Sequence, residues 1–129
     1  MEFFDIAETW SREAITTAQL VRLRNTVEQA MKSPFYGQRL KEAGVTPGSI
    51  RSLDDVRRIP LTSKDDLRAQ YPDGLICVPK SELVRMHVSS GTAGTPAVVY
   101  HTQSDLNAWA DVMARCMHMV GIRREDVFQ

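Results

Sequence analysis

Apolar positions in the first third of the chain recur at helical spacing. One stripe between Ile15 and Lys32 carries Leu20, Leu23, Val27, Ala30 and Met31, which is typical of an amphipathic helix. Thr16 and Gln19 have the spacing of a capping box, so we predict that this helix begins at Thr16. Ser33-Pro34 then ends it and begins a second helix, because serine suits a helix cap and proline the first turn. Gly44 is the expected end of that second helix.

Residues 45–80 contain turn signals rather than long periodic runs. Proline and glycine interrupt this stretch at Thr46-Pro47-Gly48, Ile59-Pro60 and Tyr71-Pro72-Asp73-Gly74. We predict short helices that begin at Ser52 and Thr62, since each is followed by an aspartate three residues later, near the positive end of a helix.

The pattern changes to a strand period at Leu83. Apolar residues alternate with polar ones up to Val88, and Ala97–Tyr100 is a second β-rich run. The two runs predict a hairpin whose tip, Ser89–Pro96, is long and polar. Thr102 and Asp105 predict the start of a helix that extends to about Val120 and ends at Gly121. Its expected inner stripe is Leu106, Trp109, Met113, Cys116 or Met117, and Val120.

Composition and charge describe an ordinary folded domain, or part of a larger one. Of the 129 residues, 43% are apolar, and 16 Lys and Arg balance 16 Asp and Glu. No basic face is implied, so we expect neither nucleic acid nor a membrane as a partner. No apolar run approaches membrane-spanning length, and we expect a cytoplasmic protein. Cys77 and Cys116 are predicted to be reduced thiols.

No metal site and no catalytic side chain can be assigned from residue spacing. His87, His101 and His118 are the three histidines, and none has a second ligand at metal-site spacing. His87 and His101 lie on either side of the polar hairpin tip. A hydrogen bond from them to the tip and a place on the strand surface are both open.

The tip itself is the most informative segment of the chain. Ser89–Pro96 consists of eight residues that are all small, hydroxylated, glycine or proline. Glycines let successive N–H groups converge, and hydroxyls add donors, so an anion cradle is one interpretation. A flexible surface turn is the other. The spacing fits neither the GxxxxGK[ST] loop nor the GxGxxG fingerprint.

The tip and several other segments, in order, resemble the phenylacetate-CoA ligase family of adenylate-forming enzymes. The similar segments are Ser33–Tyr36, Ala43–Val45, Ser52–Val56, Ile59–Arg68, Tyr71–Leu75, Ser89–Pro96, Val98–Thr102, and Asp105-Leu106 with Trp109-Ala110. The resemblance implies an α/β fold. It places an N-terminal helical subdomain at residues 1–80. It places at 81–129 the first β-hairpin and helix of the large adenylation domain.

The function implied by the resemblance is that of an AMP-forming ligase. Such an enzyme joins an aryl acid to ATP, releases pyrophosphate, and passes the acyl group to coenzyme A, with Mg²⁺ present. By carry-over, the residues that would hold the ATP phosphates are Ser89, Ser90, Gly91, Thr92, Gly94 and Thr95, with Pro96 at the loop's exit. The family usually has threonine at the position of Ala93 and lysine at that of Thr95. Either these departures weaken ATP binding, or a cation from a later part of a longer ligase compensates for them.

Family members are several times longer than this chain. The resemblance therefore implies an N-terminal fragment without ligase activity of its own, whose missing parts bind adenine, the acid and Mg²⁺. Related aryl-CoA ligases and coenzyme F390 synthetase remain alternatives. So does a non-catalytic module in which the helices between Thr16 and Gly44 form a homodimer or bind a partner, and the loop binds nothing.

Overall fold

The computed structural model describes residues 3–89 and 96–127, which form a mixed structure of helices and one hairpin. The α-helices are α1 (Arg12–Ala30), α2 (Pro34–Glu42), α3 (Lys64–Ala69) and α4 (Gln103–Met119). The strands are β1 (Leu83–Val88) and β2 (Val98–Thr102). Short 3-10 helices lie at Ile6–Thr9, Pro47–Ser49, Leu53–Arg58 and Lys80–Glu82. The predicted α/β class is confirmed.

The start of α1 differs from the prediction. Ser11, not Thr16, caps the helix, and its hydroxyl accepts a hydrogen bond from the Ala14 N–H at 3.2 Å. The Thr16 hydroxyl instead donates to the Arg12 carbonyl one turn back, at 2.8 Å. Because a threonine can satisfy its hydroxyl in this way inside a helix, it does not have to mark an end. The predicted start at Thr16 is therefore wrong.

The cap between α1 and α2 is confirmed. The Ser33 hydroxyl accepts from the Tyr36 N–H at 3.0 Å, and the side chain is 2% exposed. Gly44 has a φ of +63°, a conformation that glycine adopts without strain. In the later short helix α3 the cap is Ser63 rather than the predicted Thr62.

The main core joins α1, α2 and the turns that follow them. Val27, Leu40, Val45 and Ile50 form one buried cluster, with Leu20, Leu23, Ala30, Met31, Tyr36 and Ile59 packed around it. Two hydrogen bonds fix the returning chain: Val45 N–H donates to the Leu40 carbonyl at 2.9 Å, and Arg24 Nε donates to the Ile50 carbonyl at 2.8 Å. The helical region thus closes a core from its own residues.

The predicted hairpin is confirmed as an antiparallel pair. Met86 lies opposite Tyr100 and Val88 opposite Val98, with a register shift between Leu83 and Arg85. The second strand begins at Val98, one residue later than expected, and leads directly into α4. The hairpin therefore presents its tip at one end and the start of a helix at the other.

The helix α4 begins and ends as the sequence predicts, but its apolar stripe is not buried. Thr102 and Asp105 form a capping box, and Gly121 has a φ of +94°. No residue of α4 is buried, and Trp109 and Val120 are 48% and 70% exposed. The prediction of an inward stripe holds for Trp109, which packs on His87 and His101. It fails for Met113 and Val120, because in the described residues little chain covers that part of the helix. Within the same residues, no helix is long and apolar enough to cross a bilayer.

Candidate functional site

Two hydrogen bonds close the base of the polar hairpin tip. Ser89 N–H donates to the Ala97 carbonyl at 2.9 Å, and Ala97 N–H donates to Ser89 Oγ at 2.9 Å. Ala97 is 7% exposed. The two ends of the tip are therefore held side by side at a well-packed position. The other predicted phosphate-binding residues, Ser90, Gly91, Thr92, Gly94 and Thr95, lie outside the described residues.

The Ser89 hydroxyl keeps its capacity to bind an anion. A hydroxyl can accept two hydrogen bonds and donate one. The bond from Ala97 N–H uses Ser89 Oγ as an acceptor, so its own hydrogen is left for another oxygen. The chemistry of Ser89 thus fits a phosphate oxygen as well as a role at the base of the tip.

Three aromatic rings pack together below that base. The His87 ring centroid lies 4.7 Å from that of His101 and 5.1 Å from that of Trp109, and the last two rings are 5.8 Å apart. Among residues 3–89 and 96–127, neither imidazole is hydrogen-bonded to Ser89 or Ala97. Both rings lie on the strands against Trp109, while a hydrogen bond from them to residues 90–95 falls outside the described residues and stays a prediction. The rings tie both strands to α4.

A groove of about 640 Å³ lies between the helical region and the hairpin. All three tyrosines of the chain, Tyr36, Tyr71 and Tyr100, contribute to its wall. The other lining residues are Gln29, Leu67, Gln70, Pro72, Leu75, Ile76, Cys77, Val78, Glu82, Leu83, Val98, Val99, Thr102, Ser104 and Asp105. No local sequence pattern predicts this groove, because its wall joins segments as distant as Gln29 and Asp105.

The chemistry of the groove does not match an acid substrate. Neither lysine nor arginine is part of its described wall, whereas two carboxylates, those of Glu82 and Asp105, are. Partial burial raises the pKa of Tyr100, and the neighbouring Tyr71 and Asp73 raise it further, so this phenol stays neutral. Burial also raises the pKa of the Cys77 thiol, which leaves it protonated and a poor nucleophile. Lys80 and Lys32 act on Tyr100 and Cys77 from outside the wall, so a carboxylate ligand would meet no cation in the described wall itself.

Two acidic side chains, Asp105 of the groove wall and Asp66 of α3, stabilise helix starts. Asp105 Oδ2 accepts from Thr102 N–H at 2.7 Å, and this bond is the main reason that its pKa is lowered. Asp66 has the same role at α3: the N–H of Ser63 is the main cause of its lowered pKa, with Arg39 at 3.2 Å contributing. In the described part of the chain, no three His, Cys, Asp or Glu residues are placed to hold a metal ion. Both cysteines are free thiols.

Curated proteins that match the chain share one name. Phenylacetate-coenzyme A ligase from Pseudomonas putida is 45% identical over 123 residues, 95% of this chain. The corresponding ligase from Thermus thermophilus is 46% identical over 117 residues, 90% of this chain. The resemblance to phenylacetate-CoA ligases is confirmed. The chain spans only about a quarter of these ligases, 28% and 26% of their lengths.

A solved structure agrees with these matches. A crystal structure of 2-hydroxyisobutyryl-CoA ligase, in complex with 2-HIB-AMP and CoA, superposes with a TM-score of 0.81 at 36% identity. The superposition covers 92% of this chain and 26% of that ligase. No family model matches the chain. The matched proteins are CoA ligases, which do not favour the non-catalytic alternative.

Proposed function

We propose that this chain supplies the ATP phosphate-binding loop of an AMP-forming phenylacetate-CoA ligase. The single observation that carries the proposal is identity of 45% with a ligase of that name across nearly the whole chain. The reaction would convert phenylacetate, ATP and coenzyme A into phenylacetyl-CoA, AMP and pyrophosphate. The chain is too short a part of such enzymes to carry out the reaction alone.

In this proposal the loop binds the β- and γ-phosphates. Ser89, Ser90 and Thr92 contribute hydroxyls, Gly91 and Gly94 contribute backbone N–H groups, and Thr95 completes the loop before Pro96. Pyrophosphate gains negative charge as it leaves, and donors fixed in advance stabilise that charge most strongly in the transition state. The hydrogen-bonded base at Ser89 and Ala97 supports the proposal, because it holds the loop's two ends in place.

Two residues are expected to make ATP binding weaker than in the related ligases. Ala93 lacks a hydroxyl and Thr95 lacks the cation that the family usually has at these positions. A hydrogen bond to a charged phosphate is worth about 1.5–3 kcal/mol, and a charge-assisted one is the stronger kind. The acid pocket, the sites for Mg²⁺ and coenzyme A, and the adenine site belong in this proposal to other parts of a longer ligase.

The proposal also includes the sequence-based predictions on domains, substrate class, localisation and self-association. Residues 1–80 form the helical subdomain, and residues 81–129 begin the adenylation domain. A small aryl acid is the substrate, the protein is cytoplasmic, and self-association as a homodimer is compatible with the reaction. The main core of Val27, Leu40, Val45 and Ile50 supports the division, since it lies wholly inside the first segment.

A chimera tests the proposal. The segment of the Pseudomonas putida ligase that matches this chain is replaced by this sequence, and pyrophosphate release is measured with phenylacetate, ATP and Mg²⁺. We expect release that depends on phenylacetate. We also expect Ser90→Ala to lower kcat/KM about tenfold or more through the lost phosphate contact, whereas Ser81→Ala, at an exposed serine before β1, leaves it unchanged.

A folded chimera that releases no pyrophosphate with any aryl acid would contradict the proposal. Equal activity of the Ser90→Ala and Ser81→Ala variants would contradict the loop assignment alone. Activity with other aryl acids but not with phenylacetate would support the ligase assignment and contradict phenylacetate as the substrate.

A further inference from the structure

The N-terminal segment lies against the second half of α4, more than a hundred positions away in sequence. Arg115 Nη2 donates to Asp5 Oδ2 at 2.9 Å, across 110 positions. The Arg115 guanidinium also lies 5.9 Å from the Phe4 ring centroid, and the His118 ring lies 5.5 Å from the same ring. One ion pair and two ring contacts thus join residues 3–10 to α4.

These contacts matter because, among the described elements, α4 packs extensively only on β2. None of its residues is buried, and its first half is held by β2 and by the packing of Trp109 on His87 and His101. Its second half contains Arg115 and His118, the residues that meet the N-terminal segment. Loss of that segment would leave the second half of the helix without these contacts.

Asp5 has two roles in the N-terminal segment: it caps the short helix there, and it attaches the segment to α4. One carboxylate oxygen accepts from Ala7 N–H at 2.7 Å and starts the short helix Ile6–Thr9, while the other binds Arg115. Its pKa is lowered chiefly by the Ala7 N–H, with Arg115 and Arg22 of α1 contributing, so the group is charged at neutral pH. The charged carboxylate of Asp5 is thus paired directly with Arg115 of α4.

Arg115 has a second partner that remains when Asp5 leaves. Its Nη2 also donates to Asp111 Oδ2, one turn earlier on α4, at 3.3 Å. The side chains of Arg115 and Asp5 are 35% and 36% exposed, so water can replace their contact. The released state therefore leaves no buried charge unpaired, which makes detachment inexpensive.

We propose that residues 3–10 are a detachable strap that fixes the second half of α4, with the Asp5–Arg115 ion pair as its fastening. The strapped state has Arg115 bound to both Asp5 and Asp111. The released state has Arg115 bound to Asp111 alone and Phe4 free of α4. Arg115 is a positioning residue in this proposal, and the proposal does not depend on the ligase function.

Hydrogen exchange of the 129-residue chain tests the strap. In Asp5→Asn the carboxamide oxygen still caps Ala7, but the charge for Arg115 is gone. We expect exchange of amides 113–119 to rise about two- to fivefold in Asp5→Asn and in Arg115→Gln, and no further in the double variant. Raising NaCl from low to high concentration should speed the same amides in the natural sequence and not in Arg115→Gln.

Asp111→Asn is the matched control, since it removes the other partner of Arg115 and leaves the strap in place. Exchange of the α1 amides around Val27 reports whether the fold as a whole has changed. Additive effects of the two single variants, an Asp111→Asn effect as large as that of Asp5→Asn, or an unchanged rate at amides 113–119 would each overturn the proposal.

Discussion

Residues 1–80 and residues 81–129 contain comparable proportions of apolar residues, 32 of 80 and 23 of 49, but bury them differently. The helices bury Val27, Leu40, Val45 and Ile50 against one another. Among the described residues of the hairpin and α4, only Ala97 is buried, while Met86, Trp109 and Val112 are each close to half exposed. Both regions expose some large apolar residues, such as Leu61 in the first and Met119 in the second. The first region nevertheless closes a core from its own residues, and the described part of the second region does not.

The lower burial of the second region is consistent with the small share of the matched ligases that this chain spans. The chain spans 28% of the Pseudomonas putida ligase and 26% of the solved 2-hydroxyisobutyryl-CoA ligase. Contiguous exposed apolar residues often mark surfaces that another segment or molecule covers. The helical region is therefore the part of the chain expected to fold most independently.

The largest expected effect comes from a cavity in the helical core. Ile50 is 0% exposed, so Ile50→Ala should lower the free energy of unfolding by about 2–5 kcal/mol. Met113→Ala on α4, at a side chain 44% exposed, should lower it by less than about 1 kcal/mol. Urea unfolding measures both, and equal losses would break the comparison between the two regions.

A smaller loss in the free energy of unfolding is expected from a substitution at Gly37, where α2 lies close to the end of α1. A Cβ atom on Gly37 would lie 2.6 Å from the Met31 carbonyl oxygen, a backbone atom that cannot move aside alone. Gly37→Ala should therefore cost about 1–3 kcal/mol in the same unfolding experiment. Gly48→Ala is the control, because nothing lies within 4 Å of its Cβ position. A neutral Gly37→Ala would mean that the helices approach less closely.

The sequence was sufficient where a local signal decides the structure. Ser33-Pro34 and the Thr102–Asp105 pair mark helix starts because their side chains bind N–H groups only three residues away. The start of α1 was misplaced because Thr16 satisfied its hydroxyl inside the helix. The groove with its three tyrosines and the Asp5–Arg115 contact join distant segments, so no local pattern could have revealed them.

A substitution in the loop tests whether the second region differs from the first in binding ATP phosphates. If the second region binds phosphate rather than closing a core, Thr95→Lys should tighten ATP binding about tenfold, since it restores a charge-assisted contact. Isothermal titration with ATP and Mg²⁺ measures this. Lysine at exposed Ser81 is the control for added charge alone. Equal gains at the two positions would indicate non-specific attraction.

The smallest expected effect lies at the start of α4. Thr102→Ala removes a cap and should lower the free energy of unfolding by about 1 kcal/mol, which urea unfolding measures.

The pKa of Asp105 is lowered mainly by the Thr102 N–H, so its charged form stabilises the fold above the ordinary aspartate pKa. That stabilisation is lost as pH falls through the lowered value. Urea unfolding between pH 3 and pH 7, about the aspartate range, should show a smaller acid loss in Asp105→Asn; an unchanged loss would assign it to other carboxylates.

Amide chemical shifts of the chain, followed during titration with ATP and Mg²⁺, test the central claim most directly. The account predicts saturable shifts at residues 89–97, with none of similar size when AMP, which lacks the β- and γ-phosphates, replaces ATP. Shifts centred instead on the groove at Tyr36, Tyr71 and Tyr100, or equal responses to AMP and ATP, would contradict it.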